Sequence, residues 1–186
     1  MSRFDAGLLA RARAAVEFAL KPGGAAPAGP VEARSPGRQR VDAILVAREL
    51  CRRFEGLRLR PYLCPAGVPT IGYGATYYED GVRVTLKDPP ITAERARDLL
   101  MWHIRNVYLP AVQRQCPGLT DPMRLAAIID FTFNLGEGNL RASTLRRRIN
   151  AGEWDDVPAQ LRRWNKAGGV VLRGLVARRE AEIELI

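Results

Sequence analysis

Between Asp121-Pro122 and Gly136 the chain carries Leu125, Ala126, Ala127, Ile128, Ile129, Phe131 and Phe133, apolar side chains that cover nearly every face of a helix. A helix with no polar face cannot lie on a surface, so this segment is placed at the centre of the core. Asp121 supplies an N-terminal cap and Pro122 the first helical position, predicting a helix over 123–134. With 186 residues, 47% of them hydrophobic, the chain can build one such core but not two large domains. No stretch reaches the roughly 18 consecutive apolar residues of a membrane span.

Around this centre the chain divides in two. Residues 1–40 read as a basic tail and a linker, because positions 22–38, PGGAAPAGPVEARSPGR, are too rich in Pro, Gly, Ala and Ser to bury the apolar surface that ordering requires. Ahead of the linker, Ala6 to Leu20 has the spacing of a short amphipathic helix, marginal on its own. Residues 41–186 are expected to fold as one domain. Val41, Ile44, Leu45, Leu50, Cys51 and Phe54 recur at three- and four-residue steps, predicting a helix that stops at Glu55-Gly56 with Gly56 as its C-terminal cap. Extended pieces follow at 57–63 and 69–73, joined by the turn Cys64-Pro65-Ala66-Gly67. A further hairpin is expected over 77–86, turning at Glu79-Asp80-Gly81. The rest reads as helices. One is capped by Thr92 and kinked or ended by Pro110, one runs from Ser143 or Thr144 to Gly152, and two cover about 155–166 and 173–186. A small hairpin-rich lobe followed by a larger helical lobe is an α+β arrangement, and substrate sites usually lie in the cleft between lobes.

Composition narrows the function. Cys51, Cys64 and Cys116 are an odd number without metal-ligand spacing, and His103 is the one histidine, so no metal and no cofactor are expected. Free thiols in a reducing compartment fit this count, with one disulfide left open. Lys and Arg number 29 against 20 Asp and Glu, and the net charge of +9 points to an anionic partner, either nucleic acid or an anionic wall or envelope. Arginine runs are equally ordinary on a solvated helix face. Arg11 and Arg13 interrupt the apolar N-terminus, so no conventional signal peptide is read there.

The chemistry concentrates between Glu55 and Gly74. An acid at the end of a helix is followed by a thiol, Cys64, and a hydroxyl, Thr70, on two strands joined by a tight turn, so the three can converge on one cleft. Spacing alone equally allows a solvated helix-end carboxylate, a small core cysteine and a strand-forming threonine. The pattern as a whole resembles the phage-type lysozyme family, glycoside hydrolase family 24. Glu55, Cys64 and Thr70 keep that family's spacing, Glu55-Gly56-x-Arg58-Leu59-x-x-Tyr62 and Thr70-Ile71-Gly72-Tyr73-Gly74 keep its surroundings, and the likeness continues through Phe133-Asn134-Leu135-Gly136, Ser143-Thr144-Leu145, Asn150-Ala151-Gly152, Trp164, Gly168-Gly169 and Gly174-Leu175-Val176-x-Arg178-Arg179-x-x-Glu182. It departs in having Cys64 where Asp is commonest and Ala75 where a histidine often stands.

The resemblance implies a lysozyme-like fold and a peptidoglycan hydrolase that cuts between N-acetylmuramic acid and N-acetylglucosamine. It implies a phage or prophage endolysin, kept in the host cytoplasm until it reaches the wall and working as a monomer. Glu55 is then the general acid, which must hold its proton near neutral pH. Cys64, as a thiolate, orients the attacking water with Thr70, and Arg58 and Arg60 are the cations placed to acidify the thiol. Direct thiolate attack with retention of configuration is the other route. Asn134 and Ser143 match positions that line the sugar cleft, although Asn134 suits equally the end of its helix. Trp102 and Trp154 read as core, and His103 as a helix residue without a catalytic task. Competing functions are a lytic transglycosylase, a basic nucleic-acid binder using Arg141 to Arg148 and Arg173 to Arg179, and a structural virion part. No nucleic acid is expected, because aromatic residues do not interleave with the basic ones as stacking platforms would. Cys51 shares a helix face with Glu55, which leaves a 51–64 disulfide open.

Overall fold

The computed structural model describes residues 36–186, with side chains from Ala43 onward; the tail and most of the linker lie outside the described residues. Helix α1, Pro36–Phe54, begins inside the stretch read as linker rather than at Val41. Proline is at home in the first turn of a helix, where its missing N–H has no partner to lose. The buried face of α1, including Ala43, Ile44, Ala47 and Cys51, packs on the central helix. Its last backbone bond runs from the Glu55 N–H to the Cys51 carbonyl at 2.9 Å. Gly56 has no positive φ, so the expected left-handed cap does not form and the chain runs straight on into a strand.

Strands β1, Arg58–Leu63, and β2, Pro69–Gly72, pair antiparallel with Tyr62 opposite Thr70. The register slips between Arg58 and Tyr62, where Pro61 has no N–H for the ladder. Gly72 turns at φ 66°, and a Cβ there would stand 3.4 Å from that of Ala96, so the hairpin lies directly on helix α2, Ala93–His103. Ile71, Val84 and Leu99 form a second, small core under this lobe. The segment read as a hairpin over 77–86 makes its turn, with Gly81 N–H on Tyr78 O at 3.0 Å, but only the single bridge Tyr77–Arg83 instead of a ladder. Side chains hold it in place: Asp88 accepts from Tyr78 and Thr85, and His103 Nε2 lies 3.0 Å from Tyr77 O.

Thr92 caps α2 as expected, its hydroxyl accepting from Arg95 N–H at 3.1 Å. Pro110 does not end the helical path. A π-helical turn, Ile104–Tyr108, widens the spiral, Leu109 N–H reaches back to Ile104 O, and Pro110 falls in the first turn of helix α3, Leu109–Gln115, where no N–H is needed. The central helix α4, Pro122–Leu135, starts where Asp121 accepts from Met123 and Arg124 N–H at 3.0 and 2.9 Å and is buried through most of its length. A short helix α5, Glu137–Ala142, is not foreshadowed by any cap or periodicity read above. Helix α6, Thr144–Ala151, is capped by Ser143 and closed by Gly152 in the left-handed conformation. Helix α7, Val157–Arg162, is shorter than expected. A β3–β4 hairpin, Lys166–Ala167 with Val170–Val171, occupies the space before α8, Arg173–Ile183, because Gly168 and Gly169 both take positive φ and reverse the chain. A hairpin lobe beside a larger helical lobe is the α+β arrangement expected.

Candidate active site

Glu55 stands where α1 gives way to β1, and its Oε1 accepts from Arg178 Nη1 at 2.7 Å. Among the described residues Oε2 accepts no hydrogen bond. Arg178 comes from α8 and is itself 3% exposed; its Nε and Nη2 donate to the two oxygens of Asp130, both at 2.8 Å. The rings of Phe54 and Phe133 flank the guanidinium, with centroids 5.6 and 5.7 Å from its carbon. Burial works against charge on Arg178, but the hydrogen bonds and charge of Asp130, followed by the bond to Glu55, outweigh it and hold the guanidinium charged. For Asp130, fully buried on α4, burial pushes the carboxyl up and Arg178 more than reverses it, so the group sits below the ordinary carboxylate range.

Cys64 opens the turn between β1 and β2, where Cys64 N–H donates to Val68 O at 3.0 Å and Gly67 N–H to Cys64 O at 2.8 Å. Its thiol is half-buried and more acidic than usual, chiefly because backbone amides of Val68 and then Ala66 reach it. The turn rather than Arg58 or Arg60 lowers it; Arg58 instead stacks over the Tyr62 ring at 5.5 Å. Thr70, buried on β2, donates its one hydroxyl proton to Val68 O at 2.9 Å. Tyr62 connects the two halves of the site. Its phenol is raised first by burial and then by the charges of Glu55 and Cys64, so both acids face the same ring. Tyr108 closes the helical side, pushed up to about 12 by burial and then by Tyr77, Cys51 and Glu55.

An acid, a half-buried thiol and a hydroxyl lie around Tyr62 where the hairpin lobe meets the helical one, and comparison with known proteins bears on what such a junction does. Residues 52–182 match the family model for Phage lysozyme. The chain belongs to the phage lysozyme family. A SAR-endolysin of Bacteriophage PS119 is 36% identical over 129 residues, covering 69% of this chain and 74% of the relative. The endolysin from Escherichia coli O157:H7 phage FAHEc1 superposes with a TM-score of 0.66 at 30% identity, over 75% of this chain and 89% of that one. The muramidase domain of SpmX from Asticaccaulis excentricus gives 0.63 at 30% identity, over 75% and 92%. The fold of this phage lysozyme is thus lysozyme-like, and the protein is a peptidoglycan-cleaving glycoside hydrolase.

The two other site residues expected from the sequence have structural partners. Asn134, half-buried in the last turn of α4, accepts on Oδ1 from Arg179 Nη2 at 3.0 Å. Ser143 is 5% exposed, and its hydroxyl donates to Leu140 O at 2.7 Å while accepting from Arg146 N–H at 3.0 Å, so the cap of α6 occupies it fully. All three cysteines are free; Cys51 is buried against Asp130, which together with burial makes its thiol less acidic. Sequence reasoning passed over Asp130 and gave Arg178 no part in the catalytic site. The available signal was one carboxylate inside an otherwise apolar helix, since a buried charge must find a partner. That partner stands 48 residues further on.

Behind Arg178 the network continues into the core. Arg179 Nη2 lies 2.7 Å from Glu182 Oε1, but the approach is misaligned for a hydrogen bond and leaves both Glu182 oxygens without one. Burial, then the charge of Asp130, raises the Glu182 carboxyl well above its ordinary value of 4.5, which favours the neutral form in the folded protein. A folded-state pKa above the unfolded one contributes stability that is complete below the ordinary carboxyl range and is lost as pH rises through the shifted value. Glu182→Gln, which stays neutral, should therefore gain stability relative to the parent as pH rises from acid toward neutral. Thermal melts across that range test this; a parallel pH dependence in both proteins would mean that Glu182 is ionised when folded.

Proposed function

We propose that this phage lysozyme cuts the bond between N-acetylmuramic acid and N-acetylglucosamine with Glu55 as general acid and with the Cys64 thiolate and Thr70 as the water-activating pair. Glu55 donates a proton from Oε2 to the glycosidic oxygen, and the C1–O bond breaks with its electron pair passing to that oxygen. A water on the opposite face attacks C1 and gives its proton to the Cys64 sulfur. The observation that carries this reading is the environment of Cys64, a half-buried thiol that opens the β1–β2 turn and is acidified by the amides of that turn. A buried structural cysteine has neither feature, as Cys116, made less acidic chiefly by burial, illustrates. The Asn134 amide is the nearer candidate for contacts to the sugars, because its Nδ2 has no partner among the described residues, whereas the Ser143 hydroxyl has two. A net charge of +9 suits a monomer that acts on an anionic envelope once released to the wall.

Digestion of purified peptidoglycan tests the reaction. Products should carry one added water and a new reducing end of inverted configuration. Anhydro products would make the protein a lytic transglycosylase, and retained configuration would make Cys64 a nucleophile instead of a base.

A further inference from the structure

Asp130 sits fully buried near the middle of the most apolar helix of the fold, where a carboxylate is tolerated only with a partner. The partner is Arg178, held by two parallel bonds of 2.8 Å each, and this two-pronged grip fixes both the position and the plane of the guanidinium. One further nitrogen, Nη1, points out of the core and meets Glu55 Oε1 at 2.7 Å. Phe54 and Phe133 place their ring faces near the same group, which is 3% exposed. The result is a rigid strut from the core to one oxygen of the acid.

We propose that Asp130 is a positioning residue for the general acid, acting through Arg178. By engaging Nε and Nη2, Asp130 aims Nη1 alone at Oε1 and leaves Oε2 to carry the proton. Its negative charge also offsets the cation, so Glu55 receives an orienting hydrogen bond without the full field of an unpaired guanidinium, which would favour the carboxylate and strip the acid of its proton. The groups facing Asp130 are Arg178, Arg179 and Glu182 from α8 and Cys51 from α1. Those facing Glu55 are Arg178, Cys51, Tyr62 from β1 and Tyr108 from the π-helical turn. Arg178 and Asp130 are shifted toward their charged forms, whereas Arg179, Cys51, Tyr62, Tyr108 and Glu182 are shifted toward their neutral ones, chiefly by burial. This inference rests on Glu55 being the acid.

The test is the pH–rate profile of wall lysis by the full chain carrying Asp130→Asn. The alkaline limb, where the acid loses its proton, should move down by about one pH unit, with a roughly tenfold loss in kcat near neutrality and KM within about twofold. Arg178→Lys should move the same limb up, because lysine cannot hold Asp130 at two points and still reach Glu55. A purely structural Asp130 would lower the melting temperature and scale activity equally at every pH, so a folded D130N variant with an unmoved limb overturns the proposal. If D130N shows no cooperative melt, R178K decides alone, and an unmoved limb there overturns it too. Loss of lysis by Glu55→Gln together with an unmoved limb in D130N removes only the positioning role, whereas lysis surviving Glu55→Gln removes the acid and this inference with it.

Discussion

Glu55→Gln should fold as the parent does and lose wall lysis by a factor of about a hundred to ten thousand, the range that removal of a general acid ordinarily costs. The amide keeps the shape of the side chain, and its oxygen can still accept from Arg178, so the strut between Asp130 and position 55 survives. It has no proton acidic enough for a departing sugar oxygen. The stability change should be modest, because only part of one hydrogen bond to a charged group is lost, and such bonds are worth roughly 1.5–3 kcal/mol in full. Turbidity loss with purified walls, read beside a thermal melt, separates the two effects. Lysis close to normal by a folded variant would remove Glu55 from the mechanism.

Cys64→Ala should lose on the order of a hundredfold in lysis rate, whereas Cys64→Asp should keep substantial activity. The side chain at 64 opens a tight turn and is reached by the amides of Val68 and Ala66. Aspartate is well suited to such a position, since its carboxylate accepts bonds from the amides that follow it and so favours the turn itself. The same oxygen can orient a water beside Thr70. Alkylation of the native protein should label Cys64 and stop lysis while sparing Cys51 and Cys116, which are 0% and 1% exposed. The opposite pattern, normal lysis by the alanine variant and an unfolded aspartate variant, would make the thiol structural and leave Glu55 and Thr70 alone in the site.

The caps at Thr92, Asp121 and Ser143 and the left-handed stop at Gly152 are legible in the sequence, because each is a contact between residues at most three or four positions apart. The same locality makes the β1–β2 hairpin and the central helix visible. Where the fold departs from expectation, the deciding partner lies elsewhere in the chain or in a neighbouring turn. Pro110 marks a helix break by its own chemistry, but the π-helical turn before it moves the hydrogen-bond register and lets the spiral continue. Gly56 looks like a helix cap, yet the chain continues directly into a strand whose partner begins at Pro69.

The site divides along the same line. Glu55, Cys64 and Thr70 stand in one short stretch whose order along the chain already implies helix end, turn and strand, and the resemblance of the whole pattern to the phage-type lysozymes is what names them as candidate reacting groups. What holds them ready emerges only in three dimensions. Arg178 is 123 residues from Glu55 and 48 from Asp130, and the thiol of Cys64 is acidified by backbone amides rather than by the arginines beside it in sequence. Side-chain type can be read from one residue, but the field at a carboxyl or a thiol is a sum over everything packed around it, and that sum exists only once the chain has folded.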